Sequence, residues 1–243
     1  LRANPFYSCD FEFAYLNTRW NGNISPSQTA TDDLWWNNRA YTPPGTFPGT
    51  SESPVTRFSS NLDSYEFNTR WRWVETIRPW TGAWIFGVRY VDFEEQASGT
   101  VQEMGTTIIY EQLLTTSNEL IGFQLGGELF WSVVPRVMIG GDIKTGIYGN
   151  YAKRKFTDVP STGPTTLYPT TSTKHAAFLG EANLMVNTAL SHGMYIRGGY
   201  TGVYMSSLAL AADVLSGTGP NGGVPITGSL LAHGFYGGLE WQY

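Results

Sequence analysis

Residues 121–131, Ile-Gly-Phe-Gln-Leu-Gly-Gly-Glu-Leu-Phe-Trp, decide the fold class. Ile121, Phe123, Leu125, Leu129 and Trp131 recur in one parity, while Gln124 and Glu128 fall in the other. Successive side chains of a strand point to opposite faces, so this period of two describes a strand with one apolar and one polar side. A helix would instead space its apolar residues by three and four.

The same reading extends along the chain in both directions. Phe11, Phe13 and Tyr15 alternate with Glu12, Ala14 and Leu16; Phe67, Trp71 and Trp73 alternate with Glu66, Asn68, Arg70 and Arg72. Trp84, Phe86, Val88 and Tyr90 flank Arg89, and Ile139, Ile143, Ile147 and Tyr151 oppose Asp142, Lys144 and Asn150. Phe178, Leu184 and Val186 oppose Glu181, Asn183 and Asn187, and Ile196, Tyr200 and Tyr204 face away from Arg197. The last segment sets Phe235, Leu239, Trp241 and Tyr243 against Tyr236, Glu240 and Gln242.

Short connections at Arg78-Pro79-Trp80, Val134-Pro135-Arg136 and Ser191-His192-Gly193 alternate with long ones over about 21–62, 93–118, 154–173 and 212–228. Short turns on one side and long loops on the other are the signature of a membrane barrel. The expected fold is therefore all-β: one domain over 1–243, a single-chain antiparallel transmembrane β-barrel of about eight strands with long extracellular loops and short periplasmic turns. Thr106 to Thr115 also has strand composition. We read it as an extension of a neighbouring strand; as an extra hairpin it would raise the count to about ten, since parity must hold.

A soluble sandwich alternates too, with charges in water and apolar residues inside. Composition weighs against it: charged residues make up 14% and aromatic residues 15% of the 243, which leaves little for a conventional wet surface. Aromatic residues placed to form an interfacial girdle (Trp71, Trp73, Trp84, Tyr90, Trp131, Tyr151, Tyr204 and Trp241) point the same way. So does the charge balance of the polar face, where Arg70, Arg72, Arg89, Lys144 and Arg197 meet Glu12, Glu128, Asp142, Glu181 and Glu240 as a lumen network. The longest apolar run, Leu208 to Leu215, is broken by Asp213 and is too short for a transmembrane helix.

Two resemblances add to this. The final residues, with Tyr236, Gly238, Trp241 and Tyr243, resemble the terminal signal by which bacterial outer-membrane barrels are recognised for assembly. Asn-Glu-Leu-Ile-Gly-Phe-Gln-Leu-Gly-Gly from Asn118, Gly-Ile-Tyr-Gly-Asn ending at Asn150, Leu179-Gly180-Glu181-Ala182-Asn183 and Ile196-Arg197-Gly198-Gly199-Tyr200 resemble the beta-barrel porin family 7 of planctomycete bacteria. That resemblance covers most of the chain loosely. It implies an outer-membrane location and little mechanism.

Little else in the chain promises chemistry. The net charge of −5 argues against nucleic acid, which needs clustered Lys and Arg. The single Cys9 excludes an internal disulfide and reads as a small buried or half-buried residue. His175, His192 and His233 lie on different elements without metal-ligand spacing, and Ser206-Ser207 belongs to no recognisable nucleophile motif. Asp32-Asp33 and Glu94-Glu95 are acidic pairs that suit a solvated loop or a divalent cation. We expect no catalysis, cofactor or bound metal, and, because no signal region opens the chain, a mature form of an exported protein.

The expected role is structural or surface display, with a lumen largely filled by side chains; the alternative is a narrow porin-like channel for small solutes. Expected partners are outer-membrane lipid, the barrel-assembly machinery, and neighbouring envelope proteins or further copies met through the loops. Leu34, Trp35, Trp36, Tyr41 and Phe47 make the first loop the leading candidate for such contacts, or for packing over the barrel mouth.

Overall fold

In the computed structural model, residues 7–24, 56–74, 79–102, 109–161, 163–191, 194–211, 213 and 223–241 are described. They form one antiparallel sheet of nine strands: β1 (Tyr7–Ile24), β2 (Thr56–Val74), β3 (Trp80–Gln102), β4 (Ile109–Val134), β5 (Val137–Pro160), β6 (Thr166–Leu167), β7 (Thr171–Ser191), β8 (Met194–Leu208) and β9 (Gly228–Trp241). Eight are long and pair in chain order, while the two-residue β6 only caps β5 at Thr157 and Asp158. The fold is all-β, and the expected count of eight holds.

The strands are longer than the loop boundaries implied. Residues 93–102 and 109–118, expected as one long connection, are the paired ends of β3 and β4, with Phe93 opposite Asn118 and Gln102 opposite Ile109. Thr106 to Thr115 is thus a strand extension over its described part, Ile109 to Thr115, not a further hairpin. Alternation simply continues there: Phe93, Ala97 and Leu114 are buried while Glu94 and Gln96 are exposed. The turn at Pro135-Arg136 is as tight as expected, with Arg136 at φ 77° in the left-handed region behind a proline, as a type II turn requires.

The sheet curls, and its two faces divide as the alternation predicts. On the convex side, Phe123 is 79% and Phe235 89% exposed, and Phe11, Trp71, Trp84, Ile121, Leu125, Ile143, Ile147, Leu184 and Leu239 stand out with them. On the concave side Glu66, Arg89, Glu128, Asp142 and Lys144 are buried. Cross-strand rings pave the convex face, including Tyr15 against Tyr65 at 4.8 Å and Trp80 stacked on Trp131 at 5.6 Å between centroids.

Closure is where the sheet departs from expectation. β1 pairs with β2 and β9 with β8, and among the described residues no ladder joins β1 to β9. The described architecture is an open, curled half-barrel. Alternation dictates which side of a strand faces inward but carries no information about how far a sheet bends.

Candidate functional site

The concave face is organised in layers from the short-turn end upward. Arg70 on β2 forms the first, holding Glu12 of β1 in a two-pronged contact with both prongs at 2.9 Å. Its other terminal nitrogen donates to Glu128 of β4. Nearby, Asn183 bridges Asp142 at 2.8 Å and Glu181 at 2.9 Å.

The next layer is a closed ring of alternating charge. Arg89 of β3 contacts Glu66 of β2 at 3.1 Å and Glu181 of β7 at 2.7 Å, and Lys144 of β5 contacts the same two carboxylates at 2.9 and 3.0 Å. Arg89–Glu66 and Lys144–Glu181 are neighbours on paired strands, whereas Arg89–Glu181 and Lys144–Glu66 join strands that share no ladder and so brace the sheet across its hollow. Arg89 also donates to Ser64 Oγ at 2.8 Å, and Gln124 donates to Glu66 at 3.0 Å and to Asn68 Oδ1 at 2.6 Å. Tyr148 closes the set by donating to Gln124 at 3.1 Å. Buried charges persist only when their partners and remaining hydrogen-bond positions are met, and here they are.

Above the ring lies a dry layer of Leu62, Val91, Phe93, Leu120, Leu179, Val203, Met205 and Leu208. It is roofed by Ser207–Ala211, which leaves the end of β8 and turns inward. Ala209 exchanges two hydrogen bonds with the Asn118 side chain, at 2.8 and 2.9 Å, and the Ala211 amide donates to Glu95 at 2.8 Å. This segment, which precedes the long connection expected from about 212, fills the mouth of the hollow. Leu208 and Ala209 are fully buried, which removes their side chains from water.

Of the residues expected to form a lumen network, Glu12, Arg70, Arg89, Glu128, Asp142, Lys144 and Glu181 lie together on the concave face. Arg197 makes a separate bond to Asn187 at 3.1 Å, Arg72 stays exposed on its strand, and Glu240 is placed only by its backbone pairing with Tyr195. Glu66 is the member missing from the expected set, although it bridges both cations of the ring. Its signal was its position beside Phe67, in the same parity as Arg70.

Among the expected girdle residues, Trp71, Trp84, Tyr90, Trp131 and Tyr204 are exposed on the convex face. Trp73 is half-buried, its ring lying where a Cβ on Gly82 would sit, and Tyr151 is half-buried under Lys153 and Lys174 at 4.6 and 5.5 Å. Trp241 is placed by its pairing with Met194. Of the terminal signal, Tyr236 and Gly238 also lie in β9, whereas Tyr243 falls outside the described residues.

Two expectations need correction. Cys9 is exposed rather than buried. Glu94 and Glu95 cannot hold one cation together, because consecutive strand residues face opposite ways: Glu94 is exposed outside, and Glu95 points inward to Ser60 and Ala211. Ser207, of the Ser206-Ser207 pair, is at φ 60° and turns the chain inward. His192, Asp32-Asp33 and the cluster Leu34, Trp35, Trp36, Tyr41 and Phe47 lie outside the described residues. His233 is exposed on the convex face and hydrogen-bonded to Tyr200. No cluster of three metal-ligating side chains occurs among the described residues.

Among the described residues the ionic ring is a set of mutually paired donors and acceptors. Chemically it suits bracing. No protein-family model, curated protein or solved structure matches this chain.

Proposed function

We propose that this chain is a structural or surface-display β-barrel of a bacterial outer membrane, with a side-chain-filled lumen and loops that meet neighbouring envelope proteins or other copies. One observation carries the reading: the polarity of the sheet is inverted, with aromatic and aliphatic residues exposed on the convex face and a charge ring buried in the hollow. Water would penalise that apolar surface, whereas hydrocarbon would not.

The height of the apolar band supports it. On β3 the band runs from Trp80 to Tyr90, with Asp92 next on that face, and on β4 from Trp131 to Ile121, with Glu119 next. At about 3.3 Å per residue and a tilt near 40°, such a stretch stands about 25 Å tall, the height of the apolar belt in outer-membrane barrels. Tyr15, Tyr65 and Tyr90 mark its outer margin in one cross-strand row. The antiparallel edges β1 and β9 would close on each other, since an unpaired edge in hydrocarbon leaves backbone groups unsatisfied. Lipid around the belt and assembly machinery reading the terminal strand are the partners this implies.

The filled lumen is favoured over a porin-like channel because, in a closed barrel, the ionic ring and the dry layer above it would block the axis in succession. Reconstitution tests both parts. Brominated lipid should quench the fluorescence of Trp71, Trp84 and Trp131, and planar bilayers should stay silent. Unquenched tryptophans would refute the membrane reading, and steady conductance the filled lumen.

A further inference from the structure

The roof over the hollow hangs on a histidine. Ser207 takes the left-handed φ of 60°, a conformation costly for a residue with a side chain, and this directs its carbonyl inward. That carbonyl lies 2.5 Å from His175 Nε2 on β7 and 3.2 Å from Asn150 Nδ2 on β5. Asn150 Nδ2 also lies 3.3 Å from that Nε2. A carbonyl only accepts, so Nε2 carries a proton, and in the neutral ring Nδ1 is then the bare nitrogen. Nδ1 is buried with no hydrogen-bond partner, as is Oδ1 of the neighbouring Asn150.

We propose that Ser207–Ala211 is an acid-released latch over the hollow, held shut by the neutral imidazole of His175 and freed when that ring takes a second proton. Histidine is the side chain whose charge changes in the mildly acid range. The added proton would sit on Nδ1, where the described structure supplies no acceptor, and its charge would be buried beside a dry apolar layer. The charged and titratable groups facing this region are Glu66 on β2, Arg89 and Glu95 on β3, Tyr148 and Arg154 on β5, Glu181 lower on β7, and Asp213 beyond the latch. Glu66, Arg89 and Glu181 are committed to the ring, and no carboxylate is bonded to His175 among the described residues. Glu95 acts in the opposite sense: burial raises its carboxyl, so protonation relieves a burial cost and favours the shut latch as pH falls. Acid release therefore belongs to His175.

The test uses the full chain with Cys9→Ser as background and Ala209→Cys as a reporter of the latch. Leu210→Cys is a second reporter should the first disturb packing, and the exposed Ser172→Cys corrects for the pH dependence of thiol reactivity. Corrected maleimide labelling should rise severalfold between about pH 8 and about pH 5, the range in which an imidazole changes charge. His175→Gln, whose amide can donate to Ser207 without titrating, should label slowly at both pH values, and His175→Ala quickly at both. Glu95→Gln should leave the acid response in place. A corrected rate that does not change with pH, or an equal acid response in His175→Gln, overturns the proposal. Folded protein in detergent suffices, so failure of the membrane reading would leave this result standing.

Discussion

Replacing Arg89 with methionine tests whether the hollow is dry. The guanidinium is 2% exposed and contacts Glu66 at 3.1 Å and Glu181 at 2.7 Å. Methionine fills much of the same space without charge, leaving two buried carboxylates to share Lys144. Removing one partner of a buried ion pair costs about 3–5 kcal/mol, because the remaining charge stays desolvated. The same change in a water-filled lumen would cost about 0–1 kcal/mol, as for exposed pairs. The second variant is Arg89→Met with Glu66→Gln, which restores one cation to one anion in the ring and should recover about 2 kcal/mol of the loss. Urea unfolding in lipid vesicles, followed by fluorescence of the nine tryptophans, gives both numbers. A single-variant loss below about 1 kcal/mol would refute the dry brace, and with it the argument that the lumen is filled.

Leu125, exposed near the middle of the convex band, separates a lipid face from a wet one: Leu125→Arg should cost about 2–4 kcal/mol in vesicles if hydrocarbon covers it. A change within about 0.5 kcal/mol, typical of water-exposed sites, would contradict the membrane reading. Gly126 faces the hollow, and a Cβ there would lie 2.3 Å from the Ile143 carbonyl and 3.0 Å from Lys144 Cγ, whereas a Cβ on Gly202 would meet nothing within 4 Å. Gly126→Ala should therefore lower stability by about 1–3 kcal/mol and Gly202→Ala by less than about 0.5, compared in the same unfolding assay.

Much of the fold was legible in the chain because a strand has only two faces. Once Phe123 and Leu125 were set against Gln124 and Glu128, the parity of Glu12, Arg70, Arg89, Lys144 and Glu181 followed, and the structure places them all on the concave side. The strand count was legible for the same reason, since proline and glycine punctuate the short turns. The inward fold of Ser207–Ala211 was not, because Leu208 to Leu215 reads as an unremarkable apolar stretch until Asn118, Glu95 and His175, from three other strands, are brought beside it.

What the sequence determined by itself was polarity: which residues share a side, and that aromatic and ionic residues occupy opposite sides. That is local information, set by the geometry of each residue and its two neighbours. Only the tertiary structure decided who meets whom, including Glu66 as the bridge between Arg89 and Lys144, the opposite fates of Glu94 and Glu95, and a sheet with no ladder between β1 and β9 among the described residues. Those outcomes depend on curvature and register across strands far apart in the chain, and alternation is the same for a flat sheet, a half-barrel and a closed one.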